Sequence, residues 1–171
     1  MNKIGKTIKR RRREAKTDYL ARLALLHSDK PRLVVRKTNK HIIVQLVVSS
    51  IAQDKVIVGA NSSELLAHGW PRTNEGSLKS LAAAYLTGLL LAKKAKEKIP
   101  DAIADIGMHR HSKGSRIYAL IAGVNAGGIR VPFDEKVAPD EARIMANQKT
   151  REAFIKLKES LTIHGRKRNK E

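Results

Sequence analysis

Five consecutive cations form the densest charge cluster in the sequence: Lys9, Arg10, Arg11, Arg12 and Arg13. An arginine guanidinium is a planar fork that can hold a phosphate through two hydrogen bonds at once. Cations this close together repel one another, so the block is expected to stay solvated or disordered until an anion orders it. A solvated tail or a localisation-like patch is the alternative. We favour contact with phosphate groups, and three nearby residues are assigned to the same contact: Lys16, Tyr19 and Arg22.

A second group of hydrogen-bond donors surrounds a predicted tight turn. The group consists of Lys30, Arg32, Arg36, Lys37, Asn39, Lys40 and His41. Asparagine is common in turns, so a merely solvated β-turn is one interpretation. Donors along one exposed edge would also suit A-form RNA, which proteins recognise through its phosphates, 2′-hydroxyls and shape. We favour RNA contact for this edge.

Two histidines stand on either side of an arginine in a predicted loop, at His109 and His111. A zinc site needs further ligands, and the chain has no cysteine to supply them, so we predict no metal here. The loop is either simply exposed or contacts RNA. The residues assigned to that contact are His109, Arg110, His111, Lys113 and Arg116. A helix is predicted to begin at Arg116, and the N-terminus of a helix attracts phosphate.

Carboxylates are too sparse in the predicted strands for catalysis. A nuclease that uses two metal ions needs several carboxylates converging at strand ends. Asp105 alone is predicted in a strand, Asp54 in a turn, and Glu64 and Glu75 in a long connection. No pairing of a nucleophile with a histidine is evident either. We predict no catalytic residue, no metal, no cofactor and no small-molecule substrate.

The charge balance indicates the class of partner. The 171 residues include 35 Lys and Arg against 16 Asp and Glu, a net charge of +19. The first 40 residues hold 14 of those cations and 3 of the acids, and thus a net +11. Neutralising phosphates releases condensed counterions, which favours nucleic acid over an anionic membrane as the partner. Aromatic residues make up only 4%, which disfavours stacking on many unpaired bases.

Several absences favour a cytoplasmic protein. The chain has no cysteine, which fits a reducing compartment. No apolar run reaches the roughly 18 residues that span a bilayer. The first residues lack the apolar segment of a signal peptide, so export is not expected.

Hydrophobic periodicity predicts the elements that position these residues. Helices are predicted at about 17–27, 76–98, 116–126, 140–146 and 149–161. Strands are predicted at 32–36, 41–48, 55–60, 102–107 and 129–131, the third following a turn at Gln53 and Asp54. The order βββ-α-β-α-β predicts an α/β sandwich with a mixed sheet. Trp70, in the connection 61–75, is either a surface anchor for a partner or a cap on the sheet edge.

Residues 30–42, Lys-Pro-Arg-Leu-Val-Val-Arg-Lys-Thr-Asn-Lys-His-Ile, resemble the signature of the universal large-subunit ribosomal protein eighteen family. In that family a Pro-Arg-Leu strand leads into a Ser/Thr-Asn-Lys-His turn. Residues 18–26 are similar to the helix before this strand in the archaeal and eukaryotic branch. Residues 92–98 end a helix as the family's do, and Asp105, Gly107, Gly114 and Arg116 match its Asp-x-Gly…Gly-x-Arg region. The resemblance covers roughly residues 15–133, and residues 134–171 look like an archaeal-type extension.

The resemblance implies a ribonuclease H-like fold of the translation-machinery type and binding to 5S ribosomal RNA. It also implies a place in the central protuberance, beside large-subunit ribosomal RNA and neighbouring ribosomal proteins. The expected organisation is a basic N-terminal arm at 1–29, an α/β RNA-binding core at 30–133, and a helical extension with a basic tail at 134–171. A general nucleic-acid binder of the nucleoid type is the alternative, followed by a nuclease of related fold.

Overall fold

The computed structural model describes residues 7–50, 53–95 and 99–162. The α-helices are α1 Arg10–Arg13, α2 Tyr19–Leu26, α3 Leu81–Ala95, α4 Arg116–Ala126, α5 Glu141–Ile144 and α6 Gln148–Thr162. The strands are β1 Arg32–Lys37, β2 Ile42–Ser50, β3 Gln53–Asn61 and β4 Ile103–Asp105. Short 3-10 helices occupy Ser62–Leu66, Arg72–Ser77 and Glu135–Val137.

The four strands form one mixed sheet in the order β3-β2-β1-β4. The pairs β3–β2 and β2–β1 are antiparallel, and β4 lies parallel to β1. The turn between β1 and β2 is closed by the backbone N–H of Thr38, which donates to the carbonyl oxygen of His41. The predictions of a mixed sheet and of this hairpin are confirmed.

Helix α3 packs against one face of the sheet at β2 and β3, and α4 packs against α3. Leu33 and Val35 of β1 lie opposite Leu46 and Val44 of β2, and all four are fully buried. Successive side chains of a strand point to opposite faces, so Arg32, Val34 and Arg36 lie on the other face. We call that other face the outer face. The core is continuous with the C-terminal segment, where Phe154 of α6 meets the ring of Tyr85 edge-on at 5.6 Å.

The structure corrects four predicted features. Gln53 and Asp54 do not form a turn, because they belong to β3 and pair with Ser50 and Ser49 of β2. The long helix begins at Leu81 rather than at residue 76, and its predicted end at 98 lies outside the described residues. Ser80 caps this helix by accepting a hydrogen bond from the N–H of Ala83. The predicted strand at 129–131 is only a single bridge between Arg130 and Asp101. Trp70 is 2% exposed and donates its ring N–H to the carbonyl of Asn74, so it is not a surface anchor.

Candidate nucleic-acid interface

The four arginines of the basic block form α1, a helix of one turn in which no residue is buried. Arg11 donates to the hydroxyl of Thr17, and the Nζ of Lys9 lies 4.5 Å from the ring centroid of Tyr19. Glu14 is the one acid in this segment, and it pairs with Arg10 and Lys16. Arg12 and Arg13 pair with no carboxylate in the described part of the chain. These cations therefore face solvent, where a phosphate backbone can reach them.

Helix α2 follows the basic block within the N-terminal arm and has a capped N-terminus. The carboxylate of Asp18 accepts hydrogen bonds from the N–H groups of Leu20 and Ala21, which are unpaired in a bare helix end. The predicted helix at 17–27 was expected to dock on the body or on RNA, and in the structure Leu20 is 79% and Leu23 is 52% exposed. One contact of α2 with the body is an ion pair, in which Arg22 meets Asp54 of β3 at 2.7 Å.

The hairpin turn and the histidine loop meet, although they are far apart in sequence. The backbone N–H of Lys37 donates to Nε2 of His109 at 3.1 Å, and the guanidinium of Arg36 lies against Gly107. We call the exposed residues that this contact brings together the tip surface: Lys37, Asn39, Lys40, Arg110, His111, Lys113 and Arg116. His111 also contacts the hydroxyl of Tyr118 at 3.0 Å. Two segments predicted separately thus form one cationic surface.

Two supporting residues of the tip surface were missed by sequence reasoning. The ammonium group of Lys79 donates to the carbonyl oxygen of Asn39, which fixes the turn. Arg143, from the C-terminal segment, is exposed and lies against the backbone of Gly114, so it adds a cation beside the loop. No local pattern indicates either contact, because each joins residues about 30 to 40 positions apart.

Lys30 is exposed as predicted, and His41 is half-buried with no hydrogen-bond partner for its Nδ1.

Arg32 does not belong to the exposed edge to which we assigned it. Its side chain is only 3% exposed and donates to Asp105, Ser49 and Asp54. Both oxygens of Asp105 are occupied, one by Arg32 and the other by Arg36 and the N–H of Gly107. A metal-binding role for Asp105, which the nuclease alternative requires, is therefore opposed by its own partners.

The surroundings of Asp54 and His109 lower the pKa of each group. Burial alone raises the pKa of Asp54, but hydrogen bonds from Ser49 and Arg32 and the charges of Arg32 and Arg22 outweigh it and lower the pKa below its usual value. Burial is the main cause that lowers the pKa of His109, and the charges of Lys37 and Arg36 add to it. At neutral pH His109 is therefore an uncharged acceptor for the N–H of Lys37.

Acidification should weaken the contact between the turn and the loop. Because the pKa of His109 is lower in the folded chain, the unfolded chain binds more protons once the pH falls below about 6.5. The free energy of unfolding should therefore be at its full value above that pH and fall as the pH drops through the folded pKa. Glutamine at this position can still accept from Lys37 but does not titrate. Urea unfolding at about pH 7.5 and 5.5 should show a larger loss for the unmodified chain than for His109→Gln. Equal losses would show that His109 does not carry the effect.

The described residues contain no cluster of three or more His, Asp or Glu side chains placed to hold a metal ion. No helix within the described ranges is both long and apolar enough to cross a membrane.

The fold and the surface define a basic α/β protein that presents two exposed groups of cations, the arm and the tip surface. The profile of a family described as ribosomal large subunit proteins 60S L5 and 50S L18 matches residues 5–101. The large ribosomal subunit protein uL18 of Methanoregula boonei is 48% identical over 136 residues, which cover 79% of this chain and 76% of that protein. The uL18 protein of Korarchaeum cryptofilum is 52% identical over 136 residues, covering 79% of this chain and 68% of its own length. That of Methanoculleus marisnigri is 48% identical over the same length, which is 75% of that protein. The chain belongs to this family of large-subunit ribosomal proteins.

Proposed function

We propose that this chain binds 5S ribosomal RNA and helps to anchor it in the central protuberance of the large ribosomal subunit. The observation that supports this most directly is the contact between Lys37 and His109. It places the turn of the 30–42 segment, which resembles the family signature, on one surface with the cationic loop after β4. A rigid surface with several donors matches the way A-form RNA is recognised, through backbone and shape.

The arm and the tip surface have different roles in this proposal. The arm supplies arginines that neutralise closely spaced phosphates, a contribution that depends little on sequence. The tip surface is held by hydrogen bonds, so it can fix the orientation of the RNA. Arg32 takes no direct part because it is buried. We assign no catalytic step, cofactor or small molecule to the chain.

We also propose a fold type, a division of the chain into three parts and a set of partners. The strand order β3-β2-β1-β4 with a parallel β4, and the Arg130–Asp101 bridge beside that strand, support a ribonuclease H-like fold. Residues 1–29 would act as the RNA-binding arm, 30–133 as the core and 134–171 as an extension. The partners would be 5S RNA, large-subunit ribosomal RNA and neighbouring ribosomal proteins, on cytoplasmic ribosomes.

A comparison of affinities tests the proposal against a general nucleic-acid binder. Filter binding at moderate salt should show that 5S RNA binds at least about a hundredfold more tightly than duplex DNA of equal length, because charge alone does not discriminate. Equal affinity for the two would overturn the proposal and favour the nucleoid-type alternative.

A matched pair of variants shows which surface gives the preference. Lys40→Ala with Arg110→Ala removes two cations from the tip surface and should reduce the preference for 5S RNA about tenfold. Arg151→Ala with Lys156→Ala removes the same charge from exposed positions of α6 and should leave the preference unchanged. If the two double variants lose the preference equally, net charge rather than the tip surface determines it.

A further inference from the structure

Five side chains of alternating charge form a continuous series across the outer face of the sheet. In order they are Arg22, Asp54, Arg32, Asp105 and Arg36, and we call them the ion-pair chain. Successive nitrogen–oxygen distances are 2.7, 2.7, 3.0 and 3.2 Å. The series runs from α2 through β3, β1 and β4 and returns to the end of β1. It therefore connects elements that are not neighbours in sequence.

The guanidinium of Arg32 is the buried centre of the ion-pair chain. Arg32 uses one terminal nitrogen for Asp105 and the other for Asp54 and Ser49. Its side chain is buried, so losing either carboxylate would leave a cation without full compensation away from water. Because the guanidinium is planar, its two nitrogens also fix the relative positions of the two carboxylates. The strands β3 and β4 are thereby tied to β1 through side chains as well as through the sheet.

Each end of the ion-pair chain holds an element of the candidate interface. At one end, Asp54 accepts from Arg22 and so holds α2, the helix that follows the basic block in the arm. At the other end, Asp105 accepts from the N–H of Gly107, and Arg36 donates to the carbonyl oxygen of Asp105. Gly107 has a positive φ of 58° and lies directly against the guanidinium of Arg36. The first residues of the histidine loop are thus fixed by the same cluster.

We propose that the ion-pair chain is a positioning device that sets α2 and the basic block before it at a fixed orientation to the tip surface, so that the basic block and the tip surface engage one RNA at once. Asp54 and Asp105 are then positioning residues: they carry the wrong charge for contact with RNA, yet RNA binding depends on them. The inference rests on the proposed function for the identity of the RNA. The arrangement of α2 and the loop can be measured without RNA.

The binding test replaces Asp54, the more exposed of the two carboxylates, because Asp105→Asn carries the greater risk of unfolding. Asp54→Asn raises the net charge by one, which on charge alone would strengthen binding to a polyanion. We expect instead an approximately tenfold weaker affinity for 5S RNA and a shallower dependence of log affinity on log salt, because fewer phosphates are held at once. Glu152→Gln makes the same change of charge at an exposed position of α6 and should bind at least as tightly as the unmodified chain. If Asp54→Asn matches Glu152→Gln in affinity and in salt dependence, the proposal is overturned.

A distance measurement separates this inference from the proposed function. The chain has no cysteine, so Ala24→Cys on α2 and Ser112→Cys in the loop allow two spin labels at exposed sites. Pulsed electron resonance on the RNA-free protein should give one narrow distance distribution, and adding Asp54→Asn should broaden it. An unchanged distribution would refute the positioning role even if 5S RNA binds specifically. A broadened distribution with no preference for 5S RNA would retain the positioning role and refute the proposed function.

Discussion

Gly123→Ala should lower the free energy of unfolding by about 3 kcal/mol, at the upper end of the range for overpacking a core. A methyl group on Gly123 would lie 2.1 Å from the carbonyl oxygen of Tyr85. The facing glycine of α3 is equally tight, since a methyl on Gly88 would lie 2.3 Å from the carbonyl oxygen of Leu120. The backbones of α3 and α4 therefore lie in close contact, and an added methyl group must push the two helices apart and open the core between them. Urea unfolding of the RNA-free protein, followed by circular dichroism, measures the loss.

Gly76→Ala is the matched control. Gly76 has no atom within 4 Å of the added methyl group, and it lies in the exposed 3-10 segment before α3. The same substitution should change the free energy of unfolding there by less than about 1 kcal/mol. In an unstrained helix, alanine would even stabilise α4 by about 0.5–1 kcal/mol over glycine. A Gly123→Ala chain as stable as the unmodified one would mean that the two helices separate at little cost.

The sequence predicted best those elements in which local periodicity and burial agree. Helix α4 was placed at its observed bounds because Ile117, Leu120, Ile121 and Val124 repeat on one side, and three of these are at most 1% exposed. The start of α3 was predicted five residues early. Leu78 is buried and continues the apolar pattern, but it belongs to the turn that precedes Ser80. Apolar spacing shows which residues are buried and not where the helical hydrogen bonds begin.

The exposed cations of the candidate interface could be found from the sequence, but their arrangement could not. The basic block was evident because five adjacent cations stand out in the sequence, although a solvated tail was an alternative. Arg32 was misplaced because its environment depends on Asp105, which is 73 positions away, and on a third strand that brings Asp54 to the same face. Likewise, the joining of the turn to the histidine loop spans 72 positions. Such contacts follow from strand order and register, which the hydrophobic pattern of one sequence does not specify.

Deletion of residues 1–16 should weaken binding to 5S RNA by about a hundred- to a thousandfold at moderate salt. Eight cations are removed, Lys3, Lys6, Lys9, Arg10, Arg11, Arg12, Arg13 and Lys16. Each lost phosphate contact also reduces the slope of log affinity against log salt by roughly 0.7 to 0.9. Filter binding over a series of salt concentrations measures both quantities. The fold should survive, because residues 7–16 contain no buried side chain.

A second change in the arm separates the effect of charge from that of the guanidinium fork. Replacing Arg10, Arg11, Arg12 and Arg13 by lysine keeps all four charges but removes the planar donors that can hold phosphate bidentately. Counterion release depends on charge, so the salt slope should stay at the value of the unmodified chain. The affinity should fall only about threefold to tenfold, through the loss of bidentate geometry. If the deletion leaves the slope unchanged, the arm does not contact phosphates. If the lysine variant loses as much affinity as the deletion, arginine geometry rather than charge is what the arm contributes.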